Sequence, residues 1–141
     1  MSIIISSNLE KEVEMTFDEY LRNFDYEERK RMKIGTEELL ELYARGEAEI
    51  VDIRFSEEYE AWHFGFGKHI PLNELPDRLD ELDRSKVIIT VCPHKDRAEI
   101  ARLYLTFKGF KARYYTEGLL KLADYLRGDR AKRFMERIKR G

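Results

Sequence analysis

The sequence predicts an α/β fold: a small central parallel β-sheet flanked by helices, with an added N-terminal helix and a C-terminal helix. Three observations carry that expectation. Short β-branched runs alternate with segments of helical period, the pattern of a parallel sheet whose strands are joined by helices. The run Val87-Ile88-Ile89-Thr90-Val91 is apolar at nearly every position, as a strand buried on both faces must be. Helical period resumes at Ala98 and stops before Gly109, so a tight loop joins that buried strand to a helix start.

Taken in order, Thr16-Phe17-Asp18-Glu19 reads as a capping box opening a helix that runs to about Arg31, with Phe17, Tyr20, Leu21 and Phe24 on one face. That aromatic stripe must pack on its own domain or on a partner. Met32-Lys33-Ile34 is a short edge strand, and Thr36 caps a helix from Glu37 to Arg45 that ends at Gly46. Ile50 to Ile53 is a buried strand, and Ser56 caps a short helix through Trp62. Gly65 and Gly67 make a turn before a strand around His69 and Ile70, and Pro76 starts a helix with Leu79 and Leu82 inward. After the central strand and its helix, Lys111 to Tyr115 is a further strand and Glu117 to Leu126 a further helix ending near Gly128. The basic tail from Asp129 carries Ala131, Phe134, Met135 and Ile138 at helical spacing, and is expected to dock as a last helix. The expected division is an extension over 1–31, a main domain over 32–128 and a docked helix over 129–141.

Composition narrows the function. With 26 Lys and Arg against 28 Asp and Glu the net charge is −2, so no broad field recruits nucleic acid or an anionic membrane. The basic residues of the tail read as a solvated helix face, because aromatic interleaving is absent. No apolar run approaches the roughly 20 residues of a membrane span, and Met1-Ser2-Ile3-Ile4-Ile5 is too short and lacks the basic start of a signal peptide. A cytoplasmic protein is expected. Cys92 is the only cysteine, which excludes an internal disulfide, a resolving thiol and a Cys-based metal site. His63 and His69 lack metal-ligand spacing, and no metal or cofactor is implied.

The chemistry concentrates in Cys92-Pro93-His94-Lys95-Asp96-Arg97. Backbone N–H groups at a helix start have no intrahelical partner and the macrodipole is positive there. A Cys at the end of a buried strand can be an inert hydrophobe. Here His94, Lys95, Arg97 and the helix start together favour a nucleophile, with a pKa expected to be depressed. Asp96-Arg97-Ala98-Glu99 has the form of a capping box, so the Asp96 carboxylate is expected on the helix N–H groups. Arg97 is then free to orient the loop or clamp an oxyanion. Lys95 is the plainest contact for a sulfonate-type substrate, and His94 either protonates a leaving group or faces water. Asp52 and Arg54 form a strand-end ion pair or help orient the loop.

Cys92 and Arg97, with four residues between them at a strand-to-helix turn, resemble the active-site loop of the rhodanese family of sulfurtransferases. Ile50-Val51-Asp52-Ile53-Arg54 is similar to that family's early strand with its Asp-x-Arg ending, and Phe55-Ser56-Glu57-Glu58-Tyr59 to the acidic helix start after it. Trp62-His63 and Ile70-Pro71-Leu72-Asn73-Glu74-Leu75 resemble its Gly-His and Ile-Pro segments, and Glu117-Gly118 falls where Gly-Gly is usual. The likeness runs from about Met32 to Gly128.

What the resemblance implies is a rhodanese-like α/β fold and transfer of sulfane sulfur. Cys92 would be the catalytic residue, Pro93 to Arg97 the substrate-binding loop, and Asp52, Arg54 and His63 its support. The donor would be a small sulfur-containing anion such as thiosulfate, or a persulfide. The acceptor would be cyanide, an external thiol or a partner protein. Related phosphatases have five residues between Cys and Arg, a wider cradle for phosphate; four suit a terminal sulfur. A rival reading is a rhodanese-like sulfur-relay or protein-binding module with little turnover of free thiosulfate, which the Gly-free, Pro-containing loop favours. Monomer and homodimer both remain open.

Overall fold

The computed structural model describes residues 15–140. The segment Met1 to Ile5, read above for targeting signals, lies outside the described residues. The elements in chain order are α1 (Phe17–Arg22), α2 (Tyr26–Arg31), β1 (Lys33–Ile34), α3 (Thr36–Ala44), β2 (Ala48–Asp52), α4 (Ser56–Ala61) and β3 (Lys68–His69), followed by two 3-10 turns (Leu72–Asp77 and Leu79–Glu81). Then come β4 (Val87–Val91), α5 (Asp96–Phe107), β5 (Lys111–Tyr115), α6 (Leu119–Tyr125) and α7 (Gly128–Arg140). The strands form one parallel sheet in the order β1-β5-β4-β2-β3, so the sheet is α/β as expected.

β4 lies at the centre, and its period-2 geometry divides its side chains between two cores. Ile88 and Cys92 join a layer with Val51, Ile53, Ala98, Ala101 and Leu105, covered by α5. Ile89 and Val91 join the opposite layer with Leu39, Tyr115, Leu119, Leu122 and Phe134, covered by α3, α6 and α7. Pairing of Asp52 with Val91 and of Thr90 with Tyr114 aligns the strand C-termini, and the Cys92 loop leaves the sheet at that edge.

Several boundaries differ from the sequence reading. The single helix expected to Arg31 is two: Asn23 ends α1 and Asp25 caps α2 by accepting from the Glu28 N–H at 2.9 Å. Two residues that cap better than they propagate, Asn23 and Asp25, sit two positions apart and split the run. The Thr16 box forms, with the Thr16 hydroxyl and the Glu19 carboxylate accepting each other's backbone N–H. Of the aromatic stripe only Tyr20 is buried; Phe17, Leu21 and Phe24 keep large exposed areas, although Phe17 and Tyr20 both meet Phe107 of α5 edge-on.

Thr36 is not a cap. Gly35 precedes the helix, and the Thr36 hydroxyl is 2.5 Å from the Tyr115 hydroxyl. β2 starts at Ala48 rather than Ile50 and stops at Asp52, and α4 runs from Ser56 to Ala61, with Phe55 rather than Ser56 at the N-cap position and its N–H donating to the Glu58 carboxylate at 3.1 Å. No α-helix starts at Pro76, which sits inside the first 3-10 turn. Its ring removes a backbone donor, and Arg78 leaves helical geometry to bind Glu74 and Glu81 at 2.8 Å each. α7 is present and docks on α3, with Phe134 buried and Arg137 on Glu41 at 2.7 Å.

Candidate active site

Thr90 fixes the site's frame. Its buried hydroxyl donates to the Ala98 carbonyl at 2.8 Å, tying the end of β4 to the first turn of α5. Cys92 is fully buried between them. The Ala98 N–H donates to Sγ at 3.3 Å, and the N–H groups of His94 and Arg97 also turn toward the sulfur. A cradle of backbone donors forms without any glycine in the loop.

Two expectations about this loop are corrected. Asp96 is not the helix cap; Lys95 holds that position with no side-chain cap bond. The Asp96 Oδ1 instead lies 4.0 Å from Cys92 Sγ and takes the contact with the thiol. The Cys92 pKa is raised rather than depressed. Burial is the largest cause, and although the N–H groups of Ala98, His94 and Arg97 pull the other way, the Asp96 charge adds to the rise. The sequence reading gave the positive groups near Cys92 more weight than burial of the sulfur, and assigned the Asp96 carboxylate to the helix N–H groups rather than to the thiol.

Arg97 is also not free. Its Nη1 and Nη2 donate to the two Glu58 oxygens at 2.8 and 3.0 Å. The guanidinium, with the Phe55 N–H and Arg54 adding to it, holds the Glu58 carboxyl down at about 2, and Glu58 pushes the Arg97 pKa up. Fork meets carboxylate in the geometry for which arginine is suited.

Asp52 and Arg54 form a buried brace. Arg54 Nη2 donates to Asp52 at 2.8 Å and to the Trp62 carbonyl at 2.9 Å, and Nη1 reaches the Glu58 carbonyl at 3.3 Å. The end of β2 is thereby tied to the end of α4, which carries Glu58. His63 is not brought to the sulfur: its Nδ1 meets the Tyr59 carbonyl at 2.8 Å and its ring stacks on Tyr59 at 3.9 Å. His69 stacks on Tyr59 at 4.0 Å. Pro93 is half-buried, while His94 and Lys95 are exposed. Pro93 lines a cavity of about 270 Å³ with Arg54, Glu58, Ala61, Trp62 and Leu120.

Sequence reasoning did not single out Glu58 or Leu120, and it saw Gly118 only as a position in a pattern. Gly118 has φ +87°, and a Cβ there would stand 2.2 Å from the Pro93 carbonyl oxygen. The next N–H, of Leu119, donates to the Cys92 carbonyl at 3.0 Å. The loop before α6 is thus seated on the cysteine loop, and only glycine permits that approach. Among the described residues no group of three His, Cys, Asp or Glu side chains is placed to hold a metal ion, and no helix is long and apolar enough to cross a membrane.

Comparison with known proteins agrees with this architecture. Thiosulfate sulfurtransferase GlpE of Pseudomonas putida is 29% identical over 90 residues, covering 64% of this chain and 82% of that protein. A Bacillus subtilis protein, YrkF, named as a sulfur carrier, is 39% identical over 62 residues; the match takes in 44% of this chain and only 34% of the length of YrkF. The crystal structure of a rhodanese-like domain protein from Staphylococcus aureus superposes with a TM-score of 0.59 at 26% identity, covering 64% of this chain and 90% of that one. The sequence model of the Rhodanese-like domain matches residues 35–124, well over half of the chain and the whole span from the N-cap of α3 into α6. The chain belongs to the rhodanese-like domain family.

Proposed function

We propose that the protein is a sulfurtransferase that carries sulfane sulfur on Cys92. The observation that supports this best is the ring of N–H groups from His94, Arg97 and Ala98 directed at one buried sulfur. In the first step the Cys92 thiolate attacks the outer sulfur of a donor such as thiosulfate or a persulfide. A Cys–S bond forms, the donor's S–S bond breaks, and sulfite or a thiolate leaves. The persulfide anion lies in the backbone cradle, where preorganised donors stabilise charge without reorganisation. A thiophile, cyanide or an external thiol, then removes the outer sulfur and regenerates Cys92. The chain has no second cysteine, so the acceptor comes from another molecule. Pro93 to Arg97 form the binding loop in this reading, Asp52 and Arg54 act by holding the strand end, and His63 acts through Tyr59. The setting is cytoplasmic and no metal or cofactor takes part.

A second reading has its own support. Arg97 is committed to Glu58, and the rim exposes Phe55, Trp62 and Leu120 at 51%, 39% and 62%. That favours a relay module which takes sulfur from, or gives it to, a partner protein and turns over free thiosulfate slowly.

Intact-mass measurement decides between them. Incubation with thiosulfate, with cysteine persulfide, and with p-nitrophenyl phosphate as the phosphatase control should add one sulfur mass in the first two cases and none in the third. Cyanide or a reducing thiol should remove the adduct, and Cys92→Ser should prevent it. Uptake from the persulfide alone supports the relay module. No uptake from either sulfur donor overturns sulfur transfer.

A further inference from the structure

We infer that Asp96 selects the donor: its carboxylate disfavours dianionic thiosulfate, and the site takes its sulfur from an organic persulfide of single negative charge or none. The inference rests on the sulfur-transfer reading and names the substrate class of that site.

Three features of the loop carry it. Asp96 is exposed at the first position of α5, with Oδ1 4.0 Å from a sulfur that is itself fully buried. A donor approaching Sγ past the loop therefore meets this carboxylate. Arg97, the cation best shaped to offset a doubly charged oxyanion, has both terminal nitrogens on Glu58. The Lys95 charge is matched by Asp96 and the Arg97 charge by Glu58, so the loop presents no net positive charge to a dianion. The third feature concerns the other end of the donor. Beside Pro93 the cavity of about 270 Å³ has Trp62, Ala61 and Leu120 in its wall. The exposed Phe55 ring lies 5.8 Å from the Arg97 guanidinium. The apolar part of this wall suits the carbon body of R–S–SH, and the Arg54 guanidinium that also lines the cavity is already held by Asp52 and the Trp62 carbonyl.

The transfer balances without an oxidant or reductant. Cys92–SH and R–S–SH give Cys92–S–SH and R–SH: the new bond joins Sγ to the outer sulfur, the donor's S–S bond breaks, and the thiol proton ends on the departing R–S⁻.

The test compares initial rates of sulfur loading on the full chain, by intact mass, from thiosulfate and from cysteine persulfide at equal concentration. Benzyl persulfide and a persulfidated unfolded peptide serve as further donors, distinguishing a small apolar carrier from a polypeptide one. Wild-type protein should load from persulfides about tenfold faster than from thiosulfate. Asp96→Asn, which keeps the side-chain shape, should raise the thiosulfate rate about tenfold more than the cysteine persulfide rate, and added salt should narrow the wild-type gap. Asp96→Ala must shift the ratio in the same direction. A thiosulfate-to-persulfide ratio unchanged in both variants, or a wild-type protein that prefers thiosulfate, overturns donor selection while leaving sulfur transfer standing. Loading from no donor overturns both.

Discussion

Glu58 of α4 grips both terminal nitrogens of Arg97, at 2.8 and 3.0 Å across 39 positions of sequence. The link pins the first turn of α5 to the element that Arg54 holds from the other side. Charge on Glu58 is what keeps that pin closed. Its carboxyl is held at about 2, against 4.5 for an ordinary Glu. A depressed carboxyl contributes stability above the unfolded value and loses it as pH falls through the folded one. We expect the stability advantage of the native protein over Glu58→Gln to be complete above pH 4.5 and to vanish near pH 2. The side chain is more than a third exposed, so solvent screening limits the difference to under about 1 kcal/mol. Urea titrations of both proteins at steps between these pH values measure it.

Gly118→Ala should do more damage than its single methyl suggests. The new Cβ would stand 2.2 Å from the Pro93 carbonyl oxygen at a φ of +87°. Either the backbone strain is retained, at about 1–3 kcal/mol, or the two loops separate and the Leu119 N–H loses the Cys92 carbonyl. We expect a lower urea midpoint at unchanged slope, together with faster alkylation of a less protected Cys92. A variant as stable as the parent would contradict the close seating of the two loops.

The central strand was legible because a buried parallel strand writes itself in β-branched residues, as Val87 to Val91 do; Lys111 to Tyr115, which ends in two strand-favouring tyrosines, also has the bounds the sequence suggests. The position of Cys92 at a strand-to-helix turn was legible for the same reason. The partners of the loop were not. Asp96 satisfies a capping pattern over four residues, yet its carboxylate goes to the sulfur four positions earlier, because the loop's backbone path, and not its composition, decides which of two local partners the carboxylate meets. Glu58 lies 39 positions from Arg97, and sequence spacing carries no signal for an ion pair between two elements. Desolvation of Cys92 follows from α5 closing over it, a property of packing rather than of neighbours in sequence.

Cys92 should titrate late. Burial and the Asp96 charge favour the protonated thiol over the thiolate, whereas a free Cys ionises near 8.5. Iodoacetamide should therefore modify Cys92 more slowly than free cysteine at pH 7, with a rate still climbing above about pH 9. The sign for stability is the reverse of the Glu58 case. A group whose pKa is raised on folding contributes fully below its unfolded pKa and loses that contribution as pH rises through the folded one. Asp96→Asn removes one of the upward pushes, so its alkylation profile should lie at lower pH than that of the parent.

The N-terminal helices are joined to the sheet through one buried cation. Arg102, on α5 and almost wholly buried, donates to the Ala112 carbonyl at 3.0 Å, to the Tyr20 hydroxyl at 2.9 Å and to the Glu28 carboxylate. Tyr20 in turn donates to Glu28 at 2.8 Å, so α1 and α2 each contribute one member of the cluster. Removing the anion leaves a guanidinium in the protein interior without its counter-charge, a change that typically costs about 3–5 kcal/mol. We expect Glu28→Gln, which keeps a hydrogen-bonding oxygen, to lose about 2–3 kcal/mol, and Tyr20→Phe about 1 kcal/mol. The two changes share a network and should add to less than their sum. Deleting residues 1–31 removes both Tyr20 and Glu28 from Arg102, leaving its bond to the Ala112 carbonyl, and should destabilise further, or expose a surface through which copies associate. In every case sulfur uptake by the folded fraction should persist, since Tyr20, Glu28 and Arg102 bind one another and the β5 backbone rather than the cysteine loop. Thermal unfolding, a sizing column and intact-mass loading on the same preparations test this together, and a folded truncation that takes up no sulfur would show that the helices belong to the site.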